Sequence, residues 1–124
     1  PEIPAIAADT LVLSDGMLIG KPADMDDAFR ILKSLSGKEH EVITAAGLYL
    51  PGLGTSVFLD RSTVALRSLS DDEIRNYIMT GEWNGAAGGY RLQMSGYKLI
   101  DRIHGDWTNV VGLPMRAILS RVFS

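Results

Sequence analysis

Three features of the sequence predict an α/β fold with a mixed, largely antiparallel sheet covered by helices. They are a hairpin signal near the start, a long apolar stretch followed by an alternating one, and two segments of helical spacing with recognisable caps. In the hairpin, Thr10 to Leu13 is aliphatic and β-branched, Asp15-Gly16 marks the turn, and Met17 to Ile19 returns. Asp24, Asp26 and Asp27 then load negative charge where a helix starts. Ala28, Ile31, Leu32 and Leu35 follow at helical spacing, so the first helix is expected from Asp24 to Ser36, stopped by Gly37. Val42 to Leu50 is apolar enough for a strand buried on both faces, closed by the turn Pro51-Gly52 and Gly54. Thr55 to Leu69 alternates Val57, Leu59, Val64, Leu66 and Leu69 with polar residues and reads as a long or bulged antiparallel partner. Ser70-Asp71-Asp72-Glu73 is a capping box for a second helix carrying Ile74, Tyr77 and Ile78 and ending at Gly81. A Gly-rich loop leads to a strand from Lys98 to Ile103. A last helix begins near Pro114, with Met115, Ile118, Leu119 and Val122 on one face.

The chain of 124 residues, 46% of them hydrophobic, suits one domain over 1–124 and not two. Twelve basic against fifteen acidic side chains give a net charge of −3. That balance offers no basic field for duplex nucleic acid or an anionic membrane, so a phosphate-bearing ligand must be held by a few placed cations. With no cysteine there is no disulfide, thiolate metal site or thiol chemistry. The apolar runs are shorter than a membrane span, and Pro1 opens no secretory signal, so a soluble cytoplasmic protein is expected. The start at Pro1, without Met and close to a strand, suggests an N-terminally shortened piece of something longer.

The stretch AADTLVLSDGMLIGKP, 7–22, holds one carboxylate, Asp9, and one ammonium, Lys21, at either end of the hairpin. A two-residue loop pairs Ser14 with Met17 and sets Lys21 opposite Thr10, with Asp9 and Lys21 on opposite faces. A three-residue loop with Gly16 in the left-handed conformation pairs Asp9 with Lys21 on one face, Cβ atoms roughly 4.5 to 5.5 Å apart. The plain interpretation is then a surface ion pair; the functional one is a general base or metal ligand beside a phosphate clamp. Gly85-Ala86-Ala87-Gly88-Gly89-Tyr90 lacks the Lys and Ser/Thr of a P-loop and reads as a flexible turn. The glycines let the backbone approach a ligand, which would bring Arg91, Gln93 and Tyr97 near it. His40 and His104 have no second ligand at metal spacing and are read as structural.

Five motifs stand in order: AADT (7–10), GKP (20–22), LSGKEHEVIT (35–44), GEWNGAAGGYRLQ (81–93) and HGDWTNVVGLP (104–114). Together they resemble the Maf family of nucleotide pyrophosphatases over nearly the whole chain. The resemblance implies a fold related to the inosine triphosphate pyrophosphatases, a Mg²⁺-type divalent cation, and hydrolysis of a nucleoside triphosphate to monophosphate and pyrophosphate. It also brings the family's association with noncanonical nucleotides and septum formation. By the same resemblance Asp9 is the proton acceptor and a metal ligand, and Lys21 the conserved lysine. Thr10 and Gln93 fall on positions of substrate choice, in the combination of the dTTP/UTP branch. Hydrolysis at the α-phosphorus needs a carboxylate to take a water proton, a divalent ion, and cations for the pyrophosphate, and Gln93 has the donors and acceptor to read a pyrimidine edge.

The family's Ser-rich, Pro-Arg-Arg turn is not among these residues. Ala86 replaces a usual lysine, Met94 a usual glycine, and Arg91 is where a small residue is common and could replace some lost charge. The missing strand and helix would leave apolar surface for a second copy of the chain, a homodimer. Two readings follow: a dTTP/UTP-type pyrophosphatase, or a degenerate Maf-like domain that binds nucleotide or a protein partner without turnover. The hairpin is expected to bring Asp9 and Lys21 onto one face.

Overall fold

The hairpin forms at Asp15-Gly16, but in the other register. A computed structural model describes residues 3–112 and 114–123, with residues 117 and 121–123 described by their backbone alone. Strand β1 (Ala5–Ser14) meets β2 (Met17–Ile19) with Ser14 opposite Met17, Leu13 opposite Leu18 and Val12 opposite Ile19. The turn is therefore the two-residue kind, and Asp9 does not pair with Lys21. The reason is local: Asp15 as well as Gly16 takes a positive φ, 51° and 74°. Both central residues of a type I′ turn require that, and Asp is among the few side chains that tolerate it.

Helix α1 (Met25–Leu35) opens at the acidic run as expected, with Asp24 as its cap and not its first residue: the Asp24 side chain accepts the Asp27 N–H. Strands β3 (Glu39–Leu50) and β4 (Gly54–Leu66) form the long central pair. Helix α2 (Asp71–Ile78) begins with the Ser70–Glu73 capping box and stops three residues before Gly81. The last strand, β5 (Ile100–His104), starts later than expected because Ser95–Leu99 forms a 3₁₀ turn that takes in Lys98. Helix α3 (Trp107–Val111) was not foreseen, and α4 (Met115–Phe123) follows Pro114. On α4 Ile118 is buried and Leu119 exposed, while the side chain of Val122 lies outside the described residues.

The sheet order is β2-β1-β3-β4-β5, and every ladder among the described residues is antiparallel, in keeping with the largely antiparallel sheet expected. The bulge expected in β4 lies between Ala65 and Leu66, against β5. Along β3, His40, Val42, Thr44, Ala46 and Leu48 are buried, whereas Glu39 and Ala45 are exposed. Strand β3 is thus buried on one face, not two. Its outer positions include Ala45 and Gly47, which a one-dimensional reading cannot separate from core. Val12, Val42 and Val64 pack against Ile31, Leu32 and Leu35 of α1 and Ile74 of α2. The opposite face leaves Leu11, Val57 and Leu59 exposed beside the ion pairs Arg61–Glu41 and Arg102–Glu39.

His40 sits on the covered face, 2% exposed, with Nε2 2.6 Å from the Tyr90 hydroxyl. Burial lowers its pKa to about 4, so the folded protein holds it neutral. An unfolded chain protonates the same ring near the ordinary value of about 6.5. The stability that depends on neutral His40 is therefore complete above that value and lost as pH falls toward 4, roughly 3 kcal/mol across the interval. Urea unfolding at a series of pH values should show this slope in the wild type and a flatter one in His40→Gln. An unchanged slope in the variant would place the titration elsewhere.

Candidate active site

A cleft of about 210 Å³ opens where the Gly-rich loop meets β1, and Asp9, Thr10, Lys21, Arg91 and Gln93 all line it. Ala87, Val110 and Val111 supply apolar wall. A larger hollow of about 490 Å³ lies between α1 and α2 around Met25, Phe29 and Met79, but none of the expected site residues reaches it. Convergent polar groups, not size, mark the first cleft as the place for chemistry.

Each side chain arrives by its own route. Thr10 lies on the covered face of β1, its Oγ1 3.0 Å from Thr44 Oγ1. Strand alternation turns Asp9 to the other face. There it pairs across the ladder with exposed Ala45. Because β2 reaches only Val12 to Ser14, the outer edge of β1 at Asp9 has no strand beside it among the described residues, and Asp9 stands exposed at the cleft rim. Lys21 lies past the end of β2, where the chain has left the ladder. Asp9 and Lys21 thus share a cleft without sharing a rung. Among the described residues neither side chain makes a hydrogen bond or an ion pair with another residue, so both charges are available to a ligand.

The Gly-rich loop, expected as a flexible turn, is packed. Its Gly88 N–H donates to Gly20 O at 3.4 Å, tying the loop to the segment that carries Lys21. A Cβ on Gly88 would stand 3.3 Å from Val12, a tight contact with the hairpin, and both Gly88 and Gly89 take a positive φ, 76° and 82°, that strains any other residue. Buried Tyr90 anchors the loop's exit to His40.

Beyond it, the Arg91 N–H donates to Tyr77 Oη at 2.9 Å and Arg91 Nη2 to Asn84 O at 2.6 Å. Burial raises the Tyr77 pKa, keeping the phenol protonated. The carboxylate of Glu82 accepts both the Ser95 N–H and hydroxyl, and these bonds hold its pKa low against the opposing effect of burial. Arg91 is therefore partly engaged within the protein, and Gln93 stands exposed on a loop pinned at both ends. Ala86, where a lysine was the usual residue, is buried in the cleft wall. Tyr97 is exposed and does not line the cleft.

The donor set bears on a metal. Among the described residues no group of three or more His, Cys, Asp or Glu side chains converges, and Asp9 is the cleft's one carboxylate. Mg²⁺ commonly takes one or two carboxylates, with waters and substrate phosphates completing its shell. The cleft fits an ion that arrives with phosphates, not one held by an all-protein cage. His104 is exposed on β5 and His40 is engaged with Tyr90, so neither contributes.

Sequence reasoning missed Thr44 and Asn109. Thr44 Oγ1 donates to Asn109 O at 3.2 Å, while Asn109 Nδ2 donates to Val42 O and Ser62 Oγ. Asp106 caps α3 by accepting the Thr108 N–H at 3.0 Å, and its other oxygen accepts the Arg116 N–H. An Asp followed by a short polar-apolar run is a helix-start signal, and it could have revealed α3.

Comparison with known proteins places these features. The family model described as "Maf-like protein" matches residues 2–122. The chain is 47% identical over 111 residues to a dTTP/UTP pyrophosphatase of Caldanaerobacter subterraneus, covering 89% of this chain and 54% of that protein. It is 50% identical over 111 residues to one of Bdellovibrio bacteriovorus, with 89% and 58% covered. It is 44% identical over 119 residues to one of Pyrococcus furiosus, with 94% and 61% covered. The chain spans between half and two-thirds of the length of these relatives.

Proposed function

Because this chain belongs to the Maf-like family, we propose that its cleft hydrolyses a pyrimidine nucleoside triphosphate of the dTTP/UTP kind to the monophosphate and pyrophosphate. The observation that carries the reading is the meeting of the carboxylate of Asp9 and the ammonium of Lys21, both without a side-chain partner among the described residues, with the polar side chains of Thr10 and Gln93 in a single cleft. Asp9, at the rim, takes a proton from a water molecule. The water oxygen bonds to the α-phosphorus, the bond from that phosphorus to the α–β bridging oxygen breaks, and its electron pair leaves on pyrophosphate. Lys21 faces the phosphates and offsets the charge that gathers on the leaving group. Arg91 adds a weaker cation, since Nη2 already serves Asn84. Thr10 and Gln93 meet the base. A divalent ion of the Mg²⁺ type, held by Asp9 and the phosphates, supplies polarisation of the phosphate oxygens when bound. No helix among the described residues is long and apolar enough to cross a membrane. A nucleoside triphosphate substrate is consistent with work in the cytoplasm, and the apolar patch of Leu11, Val57 and Leu59 is the surface a second copy would cover.

The test is release of pyrophosphate from dTTP and UTP by the 124-residue chain with Mg²⁺. Release well above that of Asp9→Asn is expected. Nucleotide binding with no release above the variant would replace this reading by that of a binding domain without turnover.

A further inference from the structure

The hydroxyls behind Thr10 impose a direction on its hydrogen bonding. Thr44 is fully buried, and its one hydroxyl proton goes to the Asn109 carbonyl at 3.2 Å. In the 3.0 Å contact between Thr10 Oγ1 and Thr44 Oγ1 either hydroxyl could be the donor on distance alone, and with the Thr44 proton given to Asn109 the donor is Thr10. Thr10 is left with lone pairs alone on the side that faces the cleft. Asn109 cannot turn away to relieve this. Its amide nitrogen donates to Val42 O at 3.0 Å and to Ser62 Oγ at 3.1 Å, and α3 ends so close to β1 that a Cβ on Gly112 would stand 3.4 Å from Thr10 Oγ1.

We propose that Thr44 is a specificity-determining positioning residue: through Asn109 it fixes Thr10 as an acceptor, so that the cleft selects a base presenting a ring N–H donor. The inference rests on the reading of the cleft as a pyrimidine nucleotide site. Uracil and thymine carry such a donor at N3, flanked by carbonyl acceptors, one of which the Gln93 NH₂ group can meet. Cytosine presents a lone pair at N3, which would face the Thr10 lone pairs. A site whose buried partner is already committed rejects the mismatched ligand by leaving polar atoms unpaired.

Dissociation constants for UTP and CTP, measured calorimetrically with Mg²⁺ on the full chain, test this. Wild type should prefer UTP by about tenfold, the worth of one good hydrogen bond. Thr44→Val keeps the shape but frees the Thr10 proton to turn toward the cleft, so CTP binding should rise and the ratio fall to within about threefold. Thr44→Ser, which keeps the hydroxyl, should restore the preference. A ratio unchanged in Thr44→Val, or equal loss of both affinities, overturns the proposal, because a purely structural role would weaken both nucleotides together. Pyrophosphate release scored on the same proteins separates the two claims. Release with an unmoved ratio sinks only the positioning role, a shifted ratio without release sinks only the hydrolytic reading, and no binding of either nucleotide sinks both.

Discussion

Asp9→Asn is expected to lower kcat for pyrophosphate release by about 10²- to 10⁴-fold, the range over which one positioned general base acts. The substitution conserves volume and removes the ability to take a proton. Structurally it should cost almost nothing, because Asp9 is exposed on an unpaired stretch of strand edge and makes no ion pair among the described residues. That separates it from Thr10 and Arg91, whose side chains are bonded within the protein. Steady-state kinetics on dTTP, with a thermal melt of each protein, checks the claim. A variant that keeps kcat within about threefold would mean that another group takes the proton. A variant that loses stability as well would mean that Asp9 holds structure that the strand geometry does not show.

The candidate site was legible where chemistry lies along the chain and illegible where it lies across it. Asp9, Thr10, Lys21, Arg91 and Gln93 stand in short motifs, and all five line the same cleft. The register that joins the first of them was not legible, because Asp15-Gly16 serves a two-residue or a three-residue turn equally well. Only the positive φ of Asp15 decides between them. Asp9 and Lys21 come together instead because the chain leaves the ladder after Ile19 and the Gly-rich loop ties Gly20 into place. The covered face of β3 was half legible: its apolar character was plain, but the side-to-side alternation was hidden by Ala45 and Gly47. The relay from Thr10 through Thr44 to Asn109 was beyond reach. Its members lie 34 and 65 residues apart, and each alone reads as an ordinary strand or turn residue. The cap of α2 fared best, since Ser70 and Glu73 act within one turn of each other.

Gly96→Ala is expected to destabilise the protein by about 2–3 kcal/mol and to weaken nucleotide binding, although Gly96 is not among the residues lining the cleft. A Cβ at this position would lie 2.3 Å from the Arg91 carbonyl oxygen and 2.7 Å from its carbon. Those are backbone atoms, so no side chain can swing aside, and the strand of chain from Arg91 to Gly96 must move. It is held by the Gly96 N–H donating to Arg91 O at 3.0 Å, by the Arg91 N–H on Tyr77, and by Ser95 on Glu82. Shifting Arg91 outward strains all three and carries Gln93 off the cleft. Gly47→Ala is the matching control: its Cβ would meet nothing within 4 Å, and its backbone needs no positive φ. Urea denaturation should put Gly47→Ala within about 0.5 kcal/mol of wild type and Gly96→Ala well below it. Equal stability of the two variants would show that the Arg91 loop yields freely. In that case the bonds from Tyr77 and Glu82 do not fix the position of Gln93, and the base-reading role assigned to it would need a different anchor.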